Sequence, residues 1–492
     1  MHRMSEQKKN TFTVSSCLRG ERNARLIQVF QLILYFCLIQ FPLLASSQPI
    51  KITGMAPGAE GKTVVLSAPA DLITMLDKTL AKARVDSSGR FVLTATITKT
   101  YYATISIDFH PCSLFIEPGH SYAISISPMN YNPPGDVNPF LESQNLEMSF
   151  TDKEPDELNT LVRKYNVLYN TFLLSNYNGL YRDRKKFLLD TFRLRVKREF
   201  PEIKNTYFEN YNNYKTAALE QLAQAMGQVP LAKKYLLNSP ILYDNTEYMD
   251  FFNQFFSKYL TATCRQLKFT DYATILKTAG SYPAMMHVLE KDTLVRKPQL
   301  RELILLKGLM EMFYDPAYKQ ENILALLGVI AKESKFDEHK EIASNMIALL
   351  TKLRKGTTAP NFNLQDRNRK NVSLAGLKGK PVVIAFWTTY CMECLSEMET
   401  MKAISVKYQG KVTFVSISLD KEFLKMIFFL NMKKDFGWTF LHLGDQTDVL
   451  KDYDVRSFPM YVLVDAAGNI AKYPLDSPSD GMESAISAIL TP

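Results

Sequence analysis

Cys391 and Cys394, two residues apart in the stretch WTTYCMEC, are the side chains of this sequence best spaced for chemistry. Such a pair can staple a fold, supply half of a metal site, or carry electrons by opening and closing reversibly. A structural zinc site wants four ligands, usually two such pairs or one pair with histidines. No second Cys-x-x-Cys exists and the nearest downstream histidine is the isolated His442, so no metal is expected. Stapling is weakened by number: outside the N-terminal leader described below, only Cys112, Cys264, Cys391 and Cys394 remain. Disulfide frameworks belong to small, Cys-dense domains. A reversible redox pair, which needs no bound cofactor, fits the pattern best.

The elements around the pair suit that chemistry. PVVIAFW before it and VTFVSIS after it are continuous apolar runs, the pattern of strands buried on both faces. Between them MECLSEMETMKAISVKYQ reads as an amphipathic helix, with Leu395, Met398 and Ile404 inward and Gly410 beyond its end. Cys391 then meets free backbone N–H groups and the positive end of a helix dipole, both of which favour a thiolate. Cys394 lies one turn further in, placed to close a disulfide. A hairpin (YVLVD, the turn Ala466-Ala-Gly-Asn469, IAKY) and a last helix, GMESAISAIL, complete an α/β domain over 355–492.

At 492 residues the chain is long enough for two to four domains. With 46% hydrophobic and 22% charged residues, it is not globally disordered. Of the formal charge of +9, the first 47 residues hold six Lys/Arg and two Glu, or +4. The remaining +5 is thinly spread, so no nucleic acid partner is expected. Lys8, Lys9, Arg19, Arg22 and Arg25 precede the apolar stretch from Leu26 to Ser47. This reads as a secretory signal cleaved after about Ser47, with an uncleaved membrane anchor as the rival reading. The residues before Cys37 lack the small-residue pattern of a lipoprotein signal, so export to the periplasm or cell envelope is expected without lipidation.

From 48 to 135 short alternating runs (IKI, RFVLT, YYATISI, YAISIS) are separated by turn signals such as Asp86-Ser-Ser-Gly89, predicting an antiparallel β-sandwich. Gly58-Ala-Glu-Gly61-Lys62-Thr63 only mimics a phosphate-binding loop, because Ala56 stands where a glycine is required and a strand follows. Tyr131-Asn-Pro-Pro-Gly-Asp136 reads as a linker. From 136 to 354 the period becomes helical (Leu158, Val162, Tyr165, Tyr169, Phe172), predicting an all-α region. Its aromatic stripes are most simply helix-packing surface, with a groove for a peptide or glycan as the alternative.

Taken together, GTTAPNFNLQD, GKPVVIAFWTTYCMECLSEM, VTFVSISLD and YDVRSFPMYVLVDAAGNI resemble the exported TlpA/ResA-like branch of the thioredoxin superfamily, across Gly356 to Leu490. The regions before it are similar to the N-terminal extensions of Bacteroidetes-type members. The resemblance implies a thioredoxin-like fold and thiol–disulfide oxidoreductase activity, with Cys391 attacking and Cys394 resolving. It implies that Pro459 is cis and faces the disulfide, leaving the backbone of Phe458 free to pair with a client, and that Trp387 contributes to the client surface. It also implies that Glu397, one turn after Cys394, takes the resolving thiol's proton. Protein disulfides would be the substrates, and a membrane thiol-transfer protein the electron donor. Two features depart from the pattern of relatives: Ala385 replaces the buried Asp of cytosolic-type thioredoxins, and Glu399 stands where relatives often have Pro.

Two other functions compete. Thr388-Thr-Tyr-Cys391 echoes the T-x-x-C of peroxiredoxins, which suggests a thiol peroxidase of the AhpC/TSA type, although the matching proline position holds Ile384. The third is a cell-envelope binding protein with an accessory redox domain. Cys112 and Cys264 could pair with each other, or stay reduced as small buried side chains.

Overall fold

The computed structural model describes residues 47–108, 110–128, 145–151, 157–263, 275–276 and 282–491. The expected leader (apart from Ser47), the linker at 131–136 and Cys264 lie outside the described residues.

The first part of the chain forms β1 (Gln48–Met55), β2 (Thr63–Pro69), β3 (Asp77–Arg84), β4 (Arg90–Ile97), β5 (Tyr101–Ile107), β6 (His110–Ile116), β7 (Ser121–Ile126) and β8 (Met148–Phe150). They make two four-stranded sheets, ordered β4-β1-β7-β8 and β3-β2-β5-β6. Alternate residues such as Ile50, Ile52, Leu93, Ile105 and Ile124 point into one shared core. At the β3–β4 turn Asp86 accepts from the N–H groups of Ser88 and Arg90, and Gly89 takes φ 74°. The pairing is not wholly antiparallel as expected: β1 and β7 run parallel, with Ile52 opposite Tyr122. Side chains alternate with period two in both kinds of ladder, so the sequence pattern could not distinguish them. β8 lies beyond the expected linker and pairs with β7.

The middle of the chain is helical. It comprises α1 (Leu158–Tyr181), α2 (Phe187–Glu199), α3 (Thr206–Leu222), α4 (Gln228–Ala232), α5 (Thr246–Phe255), α6 (Tyr282–Leu289), α7 (Pro298–Met312), α8 (Gln320–Glu333) and α9 (Asp337–Thr351). Glu157 caps α1 by accepting from the N–H groups of Asn159 and Thr160. The aromatic stripe of α1 is packing surface: Tyr165 is fully buried, edge-on to Phe192, Phe208 and Tyr211.

The C-terminal part builds β9 (Asn363–Asp366), β10 (Asn371–Ser373), β11 (Val382–Trp387), α10 (Met392–Lys407), β12 (Thr413–Ser418), α11 (Phe423–Met432), β13 (Thr439–His442), α12 (Asp448–Asp452), β14 (Met460–Val464), β15 (Ile470–Leu475) and α13 (Met482–Leu490). Its sheet order is β10-β9-β13-β12-β11-β14-β15. β11 pairs parallel with β12 and antiparallel with β14, and all six of its residues are buried. The alternation explains why: Val382, Ile384 and Phe386 feed one core, and Val383, Ala385 and Trp387 the core on the opposite face. Beneath the second core lie Met398, Met401 and Ile404 of α10. The hairpin turn holds Asp465, which accepts from the N–H groups of Ala467 and Asn469, with Gly468 at φ 90°.

Candidate active site

Cys391 and Cys394 are joined by a disulfide, with their Cα atoms 5.2 Å apart. Cys391 is the N-cap residue of α10, and its Sγ accepts a hydrogen bond of 3.0 Å from the Cys394 N–H. The two sulfurs differ in access. Cys391 is half-buried, whereas Cys394 is 1% exposed within the core that also holds Met398 and Tyr461. This asymmetry follows from helix geometry, since the cap residue stands at the rim and the residue one turn in faces the sheet.

The loop from Trp387 to Cys391 is anchored by a residue that the sequence reading gave no role. Asp420, two residues past β12 and 3% exposed, accepts from the Thr389 hydroxyl (2.7 Å), the Thr389 N–H (3.1 Å) and the Ser418 hydroxyl (2.7 Å). A charged side chain at the end of an otherwise apolar run was the available signal.

The Phe458–Pro459 bond is cis. Phe458 touches the core cluster that Cys391 also contacts, and its ring lies 6.0 Å from that of Tyr390. A surface cavity of about 510 Å³ is lined by Glu393, Asp454, Arg456, Pro459, Tyr461 and Tyr473. Glu393, between the two cysteines, thus shares one depression with Pro459.

Two expected residues lie differently. Trp387 does not reach a client surface: it is 1% exposed and packs on Phe429 and Phe440. β11 is covered on both faces, so its last residue is enclosed on whichever side it points, and the surface role carried over from the resemblance does not hold. Glu397 is half-buried one turn beyond Cys394, but its carboxylate accepts from the N–H (3.0 Å) and hydroxyl of Ser479, tying α10 to the loop before α13. Burial first, then the Glu397 and Glu393 carboxylates, raise the Tyr461 phenol above its ordinary value. Cys112 is an unbridged, buried thiol, pushed up to about 12 by burial.

A central β11 flanked by parallel and antiparallel neighbours, a disulfide-bonded Cys-x-x-Cys capping the following helix and a cis Phe458–Pro459 bond define a thioredoxin-like domain. Comparison with known proteins agrees. The AhpC/TSA family model matches residues 355–473. The thioredoxin-like protein YneN of Bacillus subtilis is 31% identical over 121 residues, covering 24% of this chain and 69% of that protein. The thiol-disulfide oxidoreductase ResA of Bacillus subtilis is 34% identical over 120 residues, covering 24% and 65%. The chain thus spans about two thirds of the length of these relatives. The crystal structure of the thioredoxin domain of a thiol-disulfide oxidoreductase from Bacteroides vulgatus has 27% identity, covers 27% of this chain and 97% of that one, and has a TM-score of 0.25. Through its C-terminal domain the chain belongs to the ResA-like thiol–disulfide oxidoreductases of the thioredoxin-fold AhpC/TSA family.

Proposed function

We propose that the protein is exported and reduces or isomerises protein disulfides through Cys391 and Cys394. In the reduced enzyme the Cys391 thiolate attacks one sulfur of a client disulfide, forming a mixed disulfide and releasing the other client sulfur as a thiolate. Cys394 then gives up its proton and attacks the Cys391 sulfur. The second client thiol leaves, and the enzyme is left with the Cys391–Cys394 disulfide. Two electrons pass to the client, and a donor of the same thiol chemistry must restore the pair. Both partners follow from that balance: a protein disulfide on one side, and a membrane thiol-transfer protein on the other if the domain works outside the cytosol.

The observation that carries this reading is the difference in access between the sulfurs, with Cys391 at the helix cap and Cys394 buried beneath it. The leader at 1–47 supports export, and its basic flank and apolar run are sequence features only. Among the described residues no helix is long and apolar enough to cross a membrane. Pro459 and Phe458 are proposed to line the client site, since they share the rim with Cys391. The test is to express a Cys394→Ser variant with its leader, trap mixed disulfides and identify both the trapped chains and their compartment. Recovery of no protein through Cys391 would overturn the proposal.

A thiol peroxidase of the AhpC/TSA type is the second reading, favoured by the family match over 355–473. Consumption of hydrogen peroxide by the reduced enzyme at a rate matching insulin reduction would support it.

A further inference from the structure

We infer that Asp420 is a positioning residue for the Cys391 thiol: its buried carboxylate clamps Thr389 and so holds Cys391 at the cap of α10 in both redox states. The inference rests on the redox reading of the cysteine pair. The β11–β12 ladder ends with Trp387 opposite Ser418, and the Leu419 N–H still donates to the Trp387 carbonyl at 2.8 Å. Beyond that point the chain leaves the sheet towards Cys391, and the Ser418 carbonyl, the last of β12, accepts from the Leu443 N–H at 3.0 Å instead. The Asp420 side chain takes over. Its oxygens receive the Thr389 N–H and hydroxyl on one side and the Ser418 hydroxyl on the other. The loop is thereby joined to the rigid sheet by a charged acceptor, and charge-assisted hydrogen bonds are shorter and stronger than neutral ones.

The geometry has a direct chemical consequence. The Sγ of Cys391 accepts from the Cys394 N–H only while Cys391 occupies the cap. After reduction the disulfide no longer holds the two residues together. The Thr389 clamp two residues upstream then keeps the thiolate within reach of the N–H groups and dipole of α10. A titratable neighbour of Asp420 across the sheet is His442 on β13, held below its ordinary value chiefly by burial, and Lys421 follows Asp420 in the chain. A competing idea is that Asp420 acts on the thiol purely as a nearby negative charge. The two ideas predict opposite signs.

The experiment uses the full chain, reduced, in wild-type form and as D420N, D420A and T389V. Ultraviolet absorbance of the thiolate is followed against pH, with Cys391→Ser identifying the Cys391 signal; Cys112, pushed up to about 12, stays protonated through the range. Positioning predicts that D420A raises the Cys391 midpoint by about half a pH unit, the scale of a helix-end interaction. T389V should shift it less in the same direction. D420N keeps an acceptor for Thr389 and should stay near wild type, with its rate of mixed-disulfide formation retained. Equal downward shifts in D420N and D420A would overturn positioning in favour of a charge effect. Unchanged midpoints in both D420A and T389V would also overturn it. If D420A does not fold, D420N and T389V decide by the same signs. A wild-type enzyme without a titrating Cys391 thiolate or insulin reduction would instead defeat the redox reading itself.

Discussion

At the scale of single residues, the two cysteines should be separable by trapping. Cys391→Ser is expected to abolish both insulin reduction and mixed disulfides, whereas Cys394→Ser should accumulate mixed disulfides through Cys391. Equal trapping by the two variants would refute the assignment that the exposures of the sulfurs suggest. Glu397 is a finer case. Its carboxylate is held by Ser479, yet it helps to raise the phenol of Tyr461, in the core that also holds Cys394. A half-buried carboxylate there has lone pairs beyond those that Ser479 occupies, so it keeps acceptor capacity for the resolving thiol's proton. Glu397→Gln preserves an acceptor for Ser479, so the fold should persist while release of the mixed disulfide slows and its pH dependence changes. An unchanged pH–rate profile would leave Glu397 as a tie between α10 and the loop before α13.

At the scale of elements, the surroundings of Cys391 on α10 predict the direction of electron flow. A strong thiol oxidant owes its potential to heavy stabilisation of the thiolate form. Here Cys391 has the helix end, worth about 0.3–1 kcal/mol when exposed, while the intervening residues are the exposed Met392 and Glu393. A neighbouring carboxylate offsets much of the dipole. The Cys391–Cys394 potential is therefore expected nearer the thioredoxin value of about −270 mV than the oxidase value of about −120 mV. Equilibration with glutathione measures it, and a value above about −180 mV would point to oxidation instead. In the helical region, Glu302 of α7 receives His339 Nδ1 at 2.9 Å together with the hydroxyls of Ser334 and Tyr282. Burial works to raise its carboxyl, but those hydrogen bonds outweigh it and hold the group below its ordinary value. A lowered carboxyl contributes stability that is present above the unfolded value of about 4.5 and is lost as pH falls through the folded one. Glu302→Gln should therefore flatten the acid limb of a thermal-stability profile below about pH 4.5. Its measured cost at neutral pH should be on the order of 1–3 kcal/mol, from donors left poorly matched.

At the scale of the whole molecule, β3 lies against α12. Lys82 pairs with Asp448, and Lys451 with Asp77 at 3.0 Å, all about half exposed. Such surface pairs contribute roughly 0–1 kcal/mol each, whereas the redox domain has its own cores on both faces of its sheet. A chain beginning at Lys355 is thus expected to fold, with a cysteine potential within about 30 mV of the full protein, which corresponds to about 1.4 kcal/mol. If the preceding regions select clients, the short chain should trap a broader set of proteins. An identical trapped set would assign selection to the redox domain alone.

The sequence by itself determined the thioredoxin-like fold of the C-terminal part. Two continuous apolar runs around a Cys-x-x-Cys admit little besides a buried strand, a helix and a second buried strand, and Asp465 with Gly468 specified the hairpin turn through local backbone chemistry alone. The helical period and its aromatic packing were legible for the same reason, since amphipathic spacing is a local property. What depended on partners distant in sequence was decided only by the tertiary structure. Whether β1 and β7 run parallel leaves no trace in a period-two pattern. Trp387 reads equally well as rim or core until α11 and β13 bring Phe429 and Phe440 against its ring. Glu397 could face a thiol or a loop until Ser479, 82 residues away, supplied its donors. Asp420 stood out in the chain only as a charge ending an apolar run, and its partner could not be read for the same physical reason: a hydrogen bond across 31 residues has no spacing rule, and only the folding of β12 beside β11 brings its carboxylate to Thr389.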